Sequence, residues 1–198
     1  MLEYIESGEL FDYLNERRVL TEAEAALVAY QLLQALLYLH QCGIVHRDLK
    51  PENVLVVKNS ILRRIELVKL TDFGLSKMFL PNELSYEGVG TPTYAAPEVL
   101  LNKGYRESVD LWSVGIVLFL MLTGKHAFDP ESNIHVDLTF LDLKLNLEGP
   151  EWNRISLDGR DLITRMLNLD VKKRPTVEEA LEDRFFQRYL DFVEEEVG

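Results

Sequence analysis

Apolar and polar positions alternate with a helical period over much of the chain. Ser7-Gly8-Glu9-Leu10-Phe11-Asp12-Tyr13-Leu14 has helical spacing and runs to the basic pair Arg17-Arg18, after a short apolar and acidic segment from Met1 to Ile5 that is expected to be extended. Thr21 followed by Glu24 forms a capping-box pattern, and Ala26, Ala29, Leu33, Leu36 and His40 then recur every three or four residues until Gly43. A long, mostly buried helix is expected there. Val54-Leu55-Val56-Val57 and the run from Ile65 to Leu70 are β-rich, and the polar Lys58-Asn59-Ser60 between them predicts a two-stranded ribbon that brings Asp72 near Asp48. The stretch from Lys77 to Thr93, with glycines at 88 and 90 and Gly74 just before it, lacks any period and predicts a mobile loop. From Ser108 to Leu122 the chain is apolar on nearly every side, which predicts a helix through the middle of the core. Ile134 to Leu147, Ser156 to Leu167 and the Thr176-Val177-Glu178-Glu179 capping box mark three more helices, punctuated by Pro130, Pro150 and Pro175.

Composition narrows the classes. The 198 residues are 47% hydrophobic and 10% aromatic, enough for one sizeable core, and no repeat or low-complexity tract divides them. With 21 Lys and Arg against 33 Asp and Glu, the formal charge is -12, so neither nucleic acid nor an anionic membrane is an expected partner. Basic polypeptides suit such a surface, although charge of this size also simply keeps a domain soluble. Cys42, the single cysteine, excludes an intrachain disulfide, is expected to be a small buried residue, and points to a reducing intracellular compartment, cytoplasmic or nuclear. The start of the chain lacks the basic and apolar pattern of a signal peptide, and Val114 to Leu122 is too short to cross a bilayer.

One stretch is too dense in chemistry to be packing: His46-Arg47-Asp48-Leu49-Lys50-Pro51-Glu52-Asn53, followed by Asp72-Phe73-Gly74. Together with Ala96-Pro97-Glu98 and Asp110-Leu111-Trp112-Ser113-Val114-Gly115, in that order, these residues resemble the protein kinases, and specifically the serine/threonine branch. The likeness runs from Met1 to about Phe186, leaving an acidic tail over 187–198. Glu9-Leu10-Phe11-Asp12, Lys50-Pro51-Glu52-Asn53 and Gly90-Thr91-Pro92-Thr93-Tyr94 look most like the calcium/calmodulin-dependent kinase group and its checkpoint kinases.

The resemblance implies ATP and Mg²⁺ as cofactors and protein substrates. By that likeness Asp48 is the catalytic base, Lys50 offsets charge on the transferred phosphate, and Asn53 and Asp72 are the magnesium ligands. Glu3 and Ile5 would present hinge backbone to adenine, with Leu55 beneath the ring and Glu9 beside the nucleotide. Glu9 and Glu52 would pair with an arginine a few residues before the acceptor, giving a basophilic preference, while Thr91 and Pro92 shape the acceptor site. His46 would pack on Phe73, Asp110 would anchor the catalytic loop through backbone N–H groups, and Glu98 would pair with Arg174. Arg47 marks kinases whose loop cation needs an anion, usually a phosphorylated residue four positions before the Thr91 equivalent. Here that residue is Glu87, so Glu87 with Arg47 and Lys77 is expected to replace the phosphate, with phosphorylation of Ser85 or Tyr86 as the rival.

No glycine-rich phosphate loop, strand lysine or helix glutamate precedes His46. The expected fold is therefore mainly α (α+β), a kinase-like C-terminal helical lobe with a small β ribbon and with the N-terminal β lobe absent. The missing N-lobe would belong to the same parent chain, and the surface it covers would be an apolar patch. The alternative is a non-catalytic binding module or decoy.

Overall fold

A computed structural model describes residues 8–59, 64–128, 145 and 147–195, the side chains only as far as residue 189. In chain order the elements are α1 (Leu10–Arg17), α2 (Glu22–Gln41), β1 (Ile44–Val45), β2 (Val54–Lys58), β3 (Ile65–Leu70), β4 (Lys77–Met78), α3 (Pro97–Leu100), α4 (Ser108–Thr123), α5 (Pro150–Asn153), α6 (Leu157–Met166), α7 (Val177–Leu181) and α8 (Arg184–Glu195). Single 3₁₀ turns at Pro51–Asn53 and Val171–Lys173 complete them.

Helix α4 is the hub. Its core-facing residues include Trp112, Val114, Ile116, Val117, Leu118 and Phe119, all at most 2% exposed. It packs on α2, α5 and α6, and α2 in turn carries β3, α7 and α8. Phe185 and Phe186, both fully buried, seat α8, with Phe186 against Tyr30 of α2 at 5.6 Å between ring centroids. Gly115 lets α4 and α6 approach: a Cβ there would lie 2.9 Å from Leu167 and 3.0 Å from Met166.

Both expected capping boxes form, Thr21 with Glu24 at α2 and Thr176 with Glu179 at α7, each satisfying two otherwise orphaned backbone donors. Helix α2 ends at Cys42, and Gly43 takes φ 73, the left-handed region where a glycine is favoured. The ribbon is the antiparallel pair β2–β3, with Val54 opposite Leu70 and a register shift at Val57/Lys58.

Some expectations need correcting. Cys42 is exposed rather than buried, because it caps the solvent end of α2. The segment after Asp72-Phe73-Gly74 is less irregular than expected: Lys77-Met78 pairs antiparallel with Ile44-Val45, and Ser85 bridges Tyr105. The hinge residues Glu3 and Ile5, with the extended start, lie outside the described residues. So does nearly all of the helix expected over 134–147, of which Leu145 and Leu147 are described and not helical. No helix among the described residues is long and apolar enough to cross a membrane.

Candidate active site

The loop from His46 to Asn53 hangs from the first turn of α4. Asp110, fully buried, accepts the backbone N–H groups of His46 at 2.8 Å and Arg47 at 2.8 Å, and its Oδ2 meets His40 Nε2 at 2.9 Å. A buried carboxylate is costly unless its lone pairs are used, and here two contacts hold the loop to the core while the third ties α4 to α2. Arg47 has φ 68 and Asp72 has φ 58, so both loops pass through the left-handed region at non-glycine residues. Local strain of this kind persists only where the surroundings over-determine it.

Asp48 gathers the candidate residues. Its Oδ1 accepts from the Thr91 backbone N–H at 2.9 Å and from the Thr91 hydroxyl at 2.8 Å, while Oδ2 lies 3.1 Å from Lys50 Nζ. Lys50 Nζ also donates to Thr91 Oγ1 at 2.7 Å. Asn53 Nδ2 donates to the Asp48 carbonyl at 2.8 Å and to its Oδ2 at 3.2 Å. Burial pushes the Asp48 carboxyl up, but the hydrogen bonds from Thr91 and Lys50 outweigh it and hold the group below its ordinary value of 3.8. Gly90, at φ 97, makes this approach possible, since a Cβ would come 2.5 Å from the Arg47 carbonyl oxygen.

Thr71 links the second loop to the first: its N–H donates to the Asn53 carbonyl at 3.0 Å and its carbonyl meets His46 Nε2 at 3.1 Å. Asp72, exposed, accepts from the Gly74 N–H through Oδ1 at 3.1 Å. The rings of His46 and Phe73 meet edge to face at 5.1 Å, yet Phe73 is 47% exposed.

The donor set suits a magnesium ion. Asn53 spends its amide hydrogens on Asp48 and keeps its oxygen for a cation, and Asp72 offers a hard carboxylate. Mg²⁺ is usually held by one or two protein oxygens and keeps water and phosphate in its other positions, which is what such a pair would allow.

At the rim, Glu9 bridges antiparallel to Leu55, and Val56 N–H donates to the Gly8 carbonyl at 3.0 Å, so the start of α1 lies on β2. Pro92 is exposed. Glu52 lies late in the loop with its Oε2 buried and without a hydrogen-bond partner among the described residues. Burial, reinforced by the charge of Glu52, pushes the Tyr94 hydroxyl up to about 12.

Arg47 turns away from Asp48. Its guanidinium donates to Glu87 Oε2 at 2.7 Å, to the Leu75 carbonyl at 2.7 Å and to the Tyr105 hydroxyl at 3.3 Å. Lys77 Nζ reaches Glu87 Oε1 at 3.2 Å, so both cations share one carboxylate, and the Glu87 carboxyl is held below its ordinary 4.5, first by Arg47 and then by Lys77. Farther along, the buried Arg174 forks onto Glu98 at 2.7 and 3.2 Å, donates to the carbonyls of Ser108 and Asn168, and lies 5.0 Å over the Trp112 ring.

Sequence reasoning overlooked three participants. His40, counted above as one apolar position on the α2 stripe, binds Asp110; a histidine in such a stripe is itself a sign of a buried partner. Tyr105, whose hydroxyl donates to the Glu87 carbonyl at 2.8 Å, and Glu83, 3.2 Å from Lys77, carried no local signal.

The protein kinase domain family model matches residues 1–186. The human phosphorylase b kinase gamma catalytic chain, liver/testis isoform, is 39% identical over 194 residues, covering 95% of this chain and 46% of the relative. Its bovine counterpart shows the same identity and coverage. A probable myosin light chain kinase of Dictyostelium discoideum is 38% identical over 181 residues, covering 91% of this chain and 46% of that protein. The chain thus spans about half the length of the curated relatives it matches. With the family model covering most of its length, the chain belongs to the protein kinase domain family.

Proposed function

We propose that this chain carries the catalytic loop of a serine/threonine protein kinase that transfers the γ-phosphoryl group of ATP to basic protein substrates. The observation that carries the reading is the Asp48–Thr91–Lys50–Asn53 network, in which one ionised carboxylate, one ammonium and one hydroxyl converge. In the proposed reaction the acceptor hydroxyl oxygen bonds to the γ-phosphorus and the bond to the β–γ bridging oxygen breaks, releasing ADP. The hydroxyl proton passes to Asp48, and Lys50 offsets charge on the transferred group. Bound Mg²⁺ would be held by Asn53 and Asp72 and would neutralise phosphate charge. A carboxylate with a lowered pKa is a weakened base, so Asp48 first orients the hydroxyl and receives the proton late.

Lys50 and Thr91 support the serine/threonine branch, and the motifs quoted above support the calcium/calmodulin-dependent group. Glu52, a carboxylate of the loop, supports the basophilic preference, because a substrate guanidinium can pair with such a group. Glu87 between Arg47 and Lys77 supports an activation segment ordered without phosphorylation. Ser85 is only 2% exposed and poorly placed for a modifying enzyme, whereas Tyr86, 62% exposed, is the accessible rival.

The test is phosphotransfer from ATP to an arrayed peptide library by the full natural protein. Enrichment of Arg or Lys upstream of Ser or Thr is expected, and Asp48→Asn should lower kcat by roughly 10²- to 10⁴-fold. Unchanged turnover in that variant, or enrichment of tyrosine acceptors, would refute the reading.

A further inference from the structure

Glu87 brings one negative charge to a place where phosphate would bring about one and a half to two. Two cations converge there, and Lys77 Nζ is shared: it lies 3.2 Å from Glu87 Oε1 and 3.2 Å from Glu83 Oε1. Glu83 sits in a tight turn. Its Oε2 accepts the Leu80 N–H at 2.9 Å, its N–H donates to the Leu80 carbonyl at 3.0 Å, and Asn82 between them takes φ 63. Arg106 clips the turn from outside, donating to the carbonyls of Glu83 at 2.7 Å and Leu80 at 3.4 Å. The 83 carboxylate is therefore aimed at Lys77 by its own backbone rather than left to swing in solvent. Just beyond, Ser85 and Tyr105 exchange both backbone hydrogen bonds at 3.0 Å, and Tyr105 reaches back to Glu87.

We infer that Glu83 is a positioning residue that works with Glu87, the two carboxylates on Lys77 and Arg47 together standing in for one phosphate and fixing the activation segment against Tyr105. The inference rests on the reading of Glu87 given above and adds the second charge. Two spatially separate carboxylates also differ from a phosphate in kind: neither can be removed by a phosphatase, so the segment has no released state reachable by dephosphorylation. The charged groups facing the pair are Arg47, Lys77 and Arg106, with the Tyr105 hydroxyl beside them. In keeping with this arrangement, Lys77 is held above its ordinary value, first by Glu83 and then by Glu87.

Amide hydrogen exchange on the full natural protein tests this, read at Ser85 and Tyr105, with α4 amides as the internal control for global folding. Glu83→Gln is the decisive variant. The glutamine oxygen can still accept the Leu80 N–H, so a residue that merely shaped the turn would leave exchange unchanged. Loss of the charge pair should instead speed exchange at Ser85 and Tyr105 by about two- to fivefold, the range of an exposed ion pair. The increase should disappear in the Lys77→Met background, because the partner is already gone. Glu87→Gln serves as the separating control. If it speeds exchange and Glu83→Gln does not, the inference about Glu83 falls alone. If neither does, the reading of Glu87 as a phosphate substitute falls with it.

Discussion

Replacing Arg174 by methionine tests how far burial, rather than distance, sets the worth of an ion pair here. The Arg174 side chain is 0% exposed and Glu98 is 6% exposed, and the pair closes at 2.7 Å. Lys125–Glu151 has nearly the same separation, 2.9 Å, but its side chains are 48% and 31% exposed. Removing one member of a buried pair strands a charge with no water to solvate it, at a cost of about 3–5 kcal/mol, whereas an exposed pair contributes about 0–1 kcal/mol. Arg174→Met also takes a donor from the carbonyls of Ser108 and Asn168, so the upper part of the range applies. For a domain of this size each kcal/mol moves Tm by roughly 2–4 °C, so about 4–5 kcal/mol gives a fall of about 8–20 °C. The assay is urea unfolding followed by circular dichroism on Arg174→Met, Lys125→Met and the double variant Arg174→Met/Glu98→Leu. Lys125→Met should lie within about 1 kcal/mol of the parent. The double variant should recover a large part of what the single one loses, since it removes the stranded carboxylate. An Arg174→Met midpoint within about 1 kcal/mol of the parent, or a double variant no better than the single, would refute the reasoning.

Because the folded-state value of the Asp48 carboxyl is depressed, its stabilising contribution is complete above the ordinary value of 3.8 and is lost only as pH falls through the lowered one. The kcat/KM profile should therefore show no Asp48 limb from neutral pH down to about pH 5, while Thr91→Val, which removes the bond from the hydroxyl, should move that limb upward; a profile already falling at pH 6 through Asp48 would contradict this. Gly90→Ala combines a positive φ of 97 with a Cβ 2.5 Å from the Arg47 carbonyl, so it should cost at least about 1 kcal/mol in urea unfolding and depress phosphotransfer, and near-parental values in both would count against the close approach.

What was readable in the sequence is local or motif-bound. Thr21 and Glu24 lie three residues apart, and their side chains meet because helix geometry guarantees it. The same holds for Gly43, whose neighbours decide its backbone angle. The convergence of Asp48, Lys50, Asn53 and Thr91 was legible through family motifs, although 41 residues separate Lys50 from Thr91. The pairing of Lys77-Met78 with Ile44-Val45 and the bridge from Ser85 to Tyr105 were not, because two-residue pairings have no period to detect. A small apolar residue after a buried stripe reads as buried, but the helix ends one position too early for Cys42 to be so. Glu83 escaped notice because a lone carboxylate in a turn looks like any solvated one.

Asp110 gives the molecule a fixed point of measurement. The backbone of the loop that bears Asp48 is hung from the first turn of α4, and the residues around it add to that hold. Insertions, deletions or drift in the rim can alter what is brought to the loop without altering where the loop is. The converse also holds. A side chain added inside the core, far from any substrate, that pushed α4 along its axis would carry the whole loop with it, and would show as slower chemistry with unchanged substrate affinity.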